Sequence, residues 1–338
     1  MNSRFLILLG AGLAAALCMS SAAAQTLKIA TIAPEGSSWM TDMRRGAEVI
    51  AERTDGRVRL KFYGGGVQGN DKQVQRKMRT GQLHGGAFTS GGMNRFQRDA
   101  DLLGLPFMFN SIEEARQVRE WLEPIMRQRL DEAGYVNFGF AAAGFAYMMS
   151  NEPLRTLADL QGQKVWTPEG DRVSYAALSA LGIAPVTMPI TDVMTGLQTD
   201  LLNSVTVPPV GALVFQWHTR LKYIAELPVV YVYAALLIDK AAFSRVSEAD
   251  RQVLREVLED MYRQFDERGV VDNAEAQQAL LDSGLEIASP EQEEVEEWRA
   301  IVMASNRELA RQGVFDAALL DRMQAFLKEY RAGRPAAD

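Results

Sequence analysis

The chain has one cysteine, Cys18, and two histidines, His84 and His218, in 338 residues. One cysteine excludes an intramolecular disulfide framework. Neither H-E-x-x-H nor C-x-x-C occurs, and the histidines are far apart, so no metal and no cofactor is expected. Both histidines read as satisfied structural residues. Positive charge is not in excess. Lys and Arg number 36 against 43 Asp and Glu, a formal charge of -7, the wrong balance for a nucleic-acid binder. There is no G-x-S-x-G elbow and no visible nucleophile–base pair, so nothing points to an enzyme. Gly64-Gly65-Gly66-Val67-Gln68-Gly69 matches G-x-G-x-x-G. About twenty residues on, where a dinucleotide site needs an acid, stands His84-Gly85-Gly86, so the stretch reads as a tight strand-to-helix turn. The acidic pairs Glu293-Glu294 and Glu296-Glu297 read as a solvated helix face.

What is present is ordinary globular composition, 47% hydrophobic and 23% charged, with length for two lobes of roughly 150 residues each. Arg4, an apolar run over residues 5–17 and Ala22-Ala23-Ala24 describe a secretory signal peptide over residues 1–24. The run is shorter than the ~20 residues of a membrane anchor. Leu17 is too large to precede a lipidated cysteine at Cys18, so cleavage after Ala24 and a soluble exported monomer are expected.

Beyond it, strands and helices alternate. Strands are expected at residues 27–32, 57–63, 85–90, 135–143, 164–168, 184–190 and 202–207, with helices from Ser37 and over 70–80, 111–133, 171–181 and 191–199. This alternation predicts an α/β fold with a mixed sheet and covering helices. Ser247 followed by Asp250 resembles a capping box, and the helical pattern then runs to about residue 282. A helix that long spans about 50 Å, more than one lobe. Two further helices, over 290–312 and 316–330, finish the chain. The predicted lobes are 25–145 plus about 230–265, and 146–229 plus about 266–330, with 331–338 as a tail. Pro209-Val210-Gly211-Ala212 reads as part of a ligand wall.

Several stretches together resemble the TRAP transporter solute-binding proteins, the receptors of tripartite ATP-independent periplasmic transporters. They are Ala33-Pro34-Glu35-Gly36-Ser37-Ser38-Trp39, Phe62-Tyr63-Gly64-Gly65-Gly66, Leu105-Pro106-Phe107-Met108-Phe109, Ser150-Asn151-Glu152-Pro153-Leu154, Asp159-Leu160-Gln161-Gly162-Gln163-Lys164-Val165 and Gly196-Leu197-Gln198-Thr199. The resemblance implies a two-lobed periplasmic binding protein fold with a lobe-spanning helix. It also implies a small-molecule ligand held between the lobes and handed to a small and a large membrane subunit.

At three positions the chain departs from the pattern it resembles. Members of that family hold a carboxylate with an arginine in a K-I-R-V-P element; here Lys164-Val165-Trp166-Thr167-Pro168 puts Trp166 there. A second arginine becomes Ala146, and an asparagine becomes Val207. A guanidinium grips a carboxylate with two parallel bonds, whereas an indole offers one N–H and an apolar face. The expected cleft is therefore aromatic and apolar. Trp39, Phe145, Ala146, Tyr147, Trp166, Val207 and Trp217 would supply surface, and Gln68, Thr89, Ser90 and Thr167 the polar contacts. The ligand this implies is neutral or largely apolar. Two alternatives stay open. One is an organic acid held by a displaced arginine, Arg95 or Arg172, and the other is a scaffold or sensory partner without a transport role.

Overall fold

The structure, a computed structural model, describes residues 24–333. The expected signal peptide lies outside the described residues except for Ala24, and so do residues 334–338. Among the described residues no helix is long and apolar enough to cross a membrane.

The first half of the chain supplies β1 (Gln25–Thr31), α1 (Ser38–Arg53), β2 (Val58–Tyr63), α2 (Asp71–Arg79), β3 (Gly85–Thr89), α3 (Ser90–Met93), α4 (Ile112–Glu132) and β4 (Tyr135–Ser150). Then come α5 (Leu157–Gln161), β5 (Trp166–Pro168), α6 (Arg172–Ala180), β6 (Val186–Met188), α7 (Val193–Gln198), β7 (Ser204–Val207), α8 (Pro209–Val214), β8 (Tyr223–Ile224) and β9 (Val230–Asp239). The chain ends with α9 (Lys240–Ser244), α10 (Glu248–Asp282), β10 (Glu286–Ile287), α11 (Gln292–Arg311) and α12 (Ala317–Ala332).

Caps set the helix starts. Ser37 accepts from Met40 N, Asn70 and Gln73 form a reciprocal capping box, and Ser247 accepts from Asp250 N. The main sheet runs β10-β8-β4-β9-β3-β1-β2, with β7 also on β4; β5 and β6 form a separate parallel pair. β1 pairs in parallel with β2 and β3, while β9 runs antiparallel to β3 and β4. This is a mixed α/β sheet in two lobes.

Three elements tie the lobes together. β4 is longer than its expected 135–143. Its first part pairs with β9 and its last four residues pair with β7. Gly144 does not end it: the glycine sits at a register shift with φ +94, and the strand bends there and continues. β9 falls in a region, residues 208–246, that the sequence patterns leave without elements. The third is α10, 35 residues long. Its Leu254, Leu258 and Tyr262 pack with β1, β2 and β9, and its Leu280 packs with β7 and Trp217. The last helix, α12, expected with the second lobe, instead packs Leu319, Leu320 and Met323 into the cluster that holds α4 and Tyr231.

The two faces of β9 explain where space is left. Tyr231, Tyr233 and Leu237 point into the core under α4. On the other face Leu236 and Ile238 are covered by α1 and α10. Val230, Val232 and Ala234 continue that second face beyond its cover, and they floor a cavity.

Candidate ligand-binding cleft

The cavity lies between the lobes and measures about 250 Å³. Small side chains make it. Ala87 of β3, Ala143 and Ala146 of β4, and Ala234 of β9 leave room that larger residues would fill. Trp39, Phe88, Tyr262 and Phe265 form walls from one side, and Trp166, Val207, Pro208, Val210 and Phe215 from the other.

Of the residues expected there, Trp39, Thr89, Ser90, Ala146, Trp166 and Val207 line the cavity. Five others stand elsewhere, each for a local reason. Phe145 and Tyr147 flank Ala146 in one strand, so they project from the opposite face. Phe145 meets Tyr231 edge-on at 6.0 Å in the core. Tyr147 packs against the two neighbouring core clusters. Thr167 alternates with Trp166 and Pro168 in the same way; it is buried, with its hydroxyl 3.2 Å from that of Thr187. Gln68 stays on the glycine turn, where its Oε1 accepts from Lys77 Nζ at 3.0 Å. Trp217 is fully buried as a second layer, edge-on to Trp166 at 5.2 Å and stacked on Phe215 at 5.3 Å. The indole N–H of Trp166 donates to the Met188 carbonyl at 3.0 Å. A ligand therefore meets only the apolar surface of that ring.

Polar residues line the cavity from both lobes, among them Thr89, Ser90 and Arg95 on the lobe that carries β3 and Glu169, Asp171 and Thr206 on the other. Arg95, two residues after α3, reaches the cavity wall. Its Nη2 donates to the Glu169 carbonyl at 3.0 Å, and its Nε is buried without a partner. Among the described residues no carboxylate oxygen lies within 4 Å of it. Arg172, the other arginine considered, is exposed on α6 and is not part of the lining. Asn70, Asp71 and Lys72, at the start of α2, also line the cavity; the sequence pattern shows only that a helix begins there.

Across this seam the lobes touch. Asn70 Nδ2 donates to Glu169 Oε2 at 2.7 Å, and Asn94 Nδ2 to the Gly170 carbonyl at 3.2 Å. Gly170, at φ +93, lets the backbone come this close; a Cβ there would stand 2.3 Å from Arg95 Nη2. Carboxyls crowd the same seam. Burial pushes Asp71 up to about 6, with Glu169 adding to the rise and Arg95 opposing it. Burial, with the charge of Asp171, pushes Asp101 up to about 8.

Elsewhere the polar groups are structural. His84 Nδ1 accepts from Lys28 N at 2.9 Å, and His218 Nδ1 lies 3.1 Å from the Ala212 carbonyl. Glu294 is not merely a solvated charge: it accepts from Leu157 N and from the indole of Trp298. Among the described residues no His, Cys, Asp and Glu group is arranged to hold a metal.

A two-lobed mixed α/β fold around an interlobe cavity defines the class of periplasmic-type solute-binding receptors. A structure of this kind, a TRAP periplasmic solute-binding protein from Desulfovibrio salexigens with bound orotic acid, superposes with a TM-score of 0.81 at 16% identity, covering 90% of this chain and 99% of that one. The chain belongs to one family within that class: the model of the bacterial extracellular solute-binding protein family 7 matches residues 29–312. The protein is thus a binding receptor and not an enzyme. A solute-binding protein of Roseobacter denitrificans is 26% identical over 71% of this chain and 74% of its own. The 2,3-diketo-L-gulonate-binding periplasmic protein of Escherichia coli is 25% identical over 72% and 74%.

Proposed function

We propose that the chain serves in the periplasm as the receptor of a TRAP-type importer, and that its ligand is an organic acid whose carboxylate faces Arg95. One observation carries this reading. Arg95 lines the cavity, its Nε has no partner, and among the described residues no carboxylate oxygen lies within 4 Å of it. A half-buried cation so placed is poised to take an anion, because a charge-assisted bond offsets desolvation on both sides. The diketogulonate-binding relative supports the same class. The neutral ligand that Trp166, Ala146 and Val207 suggested gives way to this second reading, in which the acid is kept and the cation has moved. The handover partners are a small and a large membrane subunit. The lobes divide at residues 25–145 plus 230–265 and 146–229 plus 266–312, with α12 moved to the first lobe on the packing described above.

A thermal-shift screen of organic acids, repeated on Arg95→Gln, tests the proposal. Hits should lose roughly 10- to 100-fold in affinity in the variant, the worth of one charge-assisted contact. Hits that bind both proteins equally would remove Arg95 from recognition.

A further inference from the structure

We infer that the ligand carries its charge at one end only, and that the rest of it is an apolar body, an aromatic ring or a branched alkyl chain, laid against Trp166, Val207 and the β9 floor. The inference rests on the acid reading above and specifies the class of acid. It comes from how donors and acceptors are distributed around the cavity.

At one end stand Arg95 and the hydroxyls of Thr89 and Ser90, in a lining that also holds Lys72 and the carboxyls of Asp71, Glu169 and Asp171. At the other end the side chains offer few groups to bond to, with Thr191 and Thr206 the polar residues of the lining there. The side chains of the floor residues Val230, Val232 and Ala234 carry no polar atoms, and the β9 backbone pairs with β4 along this stretch and with β3 from Ala234 on. Ala146 and Val207 are apolar, and the Trp166 N–H is already spent on Met188. A second carboxylate laid there would be desolvated with no cation to meet it. Sugar hydroxyls would lose water for few replacement partners, at roughly tenfold in affinity for each left unpaired. An apolar body gains from the same wall. The cavity, about 250 Å³, exceeds the ~150 Å³ that accommodates benzene in an engineered protein cavity. The geometry also sets orientation. Arg95 belongs to the lobe of β3, while Trp166 stands on β5 of the other lobe, so the carboxylate lies on the first lobe and the body against the second.

Calorimetry of the purified chain with four probes tests this: 3-phenylpropanoate, 4-methylpentanoate, succinate and D-gluconate, with 3-phenylpropanamide as the uncharged control. One or both apolar acids should bind at least ~100-fold tighter than succinate and gluconate, and the amide should lose most of that affinity. Val207→Asn, which restores a polar group to the far wall, should narrow the gap between gluconate and the apolar acids several-fold. Tight succinate or gluconate binding that depends on Arg95 would overturn this inference and leave the acid reading standing. An amide that binds as well as its acid would overturn the acid reading itself. No binding by either apolar acid up to millimolar concentration would also overturn the inference.

Discussion

Trp166, which lines the cleft, and Asp101, which is buried away from its lining, show what single residues contribute. Trp166 is almost fully buried, bonded to Met188 and braced by Trp217. Trp166→Ala should cost about 3–5 kcal/mol of stability, the usual loss for a large buried aromatic; denaturant unfolding measures it, and a loss below about 1 kcal/mol would show the ring is not packed as described. Its position was legible in the sequence, because Lys164 and Pro168 fix the register. Its neighbours in the expected site were less so. Phe145, Ala146 and Tyr147 cannot all face one cleft, because strand alternation admits one parity to a face. Arg95 is less legible still, since it lies outside every stretch that carries the resemblance. Asp101 gives a pH dependence. Its folded pKa, about 8, lies above the ordinary 3.8, so the folded chain holds a proton that the unfolded chain releases. Its contribution to stability is therefore present at low pH and lost as pH rises through that window. Asp101→Asn should flatten the fall in Tm between about pH 4 and 8; an unchanged slope would show that this carboxyl does not titrate there.

Among elements, α10 and β4 carry the connection between lobes. Gly269 of α10 lies so close to β4 that a Cβ would stand 2.3 Å from the Ala142 carbonyl. Asn273, one turn on, donates to the carbonyls of Ala143 and Gly269 at 2.7 Å and accepts from Val210 N at 3.3 Å. Arg119 of α4 reaches the Phe140 carbonyl and Asp266, whose carboxylate also accepts from Ala142 N. Helix propensity alone would make Gly269→Ala stabilising by about 1 kcal/mol. The close approach should reverse that sign, to a net loss of about 1–3 kcal/mol. Equilibrium unfolding decides, and a stabilised variant would refute the contact. The length of α10 was readable from one cap and an uninterrupted helical pattern. β9 was not, because a near-continuous apolar run fits a buried strand and a buried helix equally well. The reach of β4 past Gly144 was hidden too, since a glycine there reads as a stop and acts as a bend.

For the whole molecule, two lobes are joined by β4, β9 and α10; at the mouth of the cavity they meet through the bonds of Asn70, Asn94 and Arg95, and elsewhere Arg299 bonds the Phe107 carbonyl across the same division. Such a seam suits hinge bending. Small-angle scattering should show a smaller radius of gyration at ligand saturation, with the mass of a monomer; an unchanged radius would count against closure. The central claim concerns which end of the cavity takes the charge. A crystal structure of the chain with a bound organic acid tests it most directly. The account predicts the carboxylate within hydrogen-bonding distance of the Arg95 guanidinium, with the rest of the ligand against Trp166 and Val207. A carboxylate lodged instead among Trp166, Ala146 and Val207, with Arg95 untouched, would contradict it.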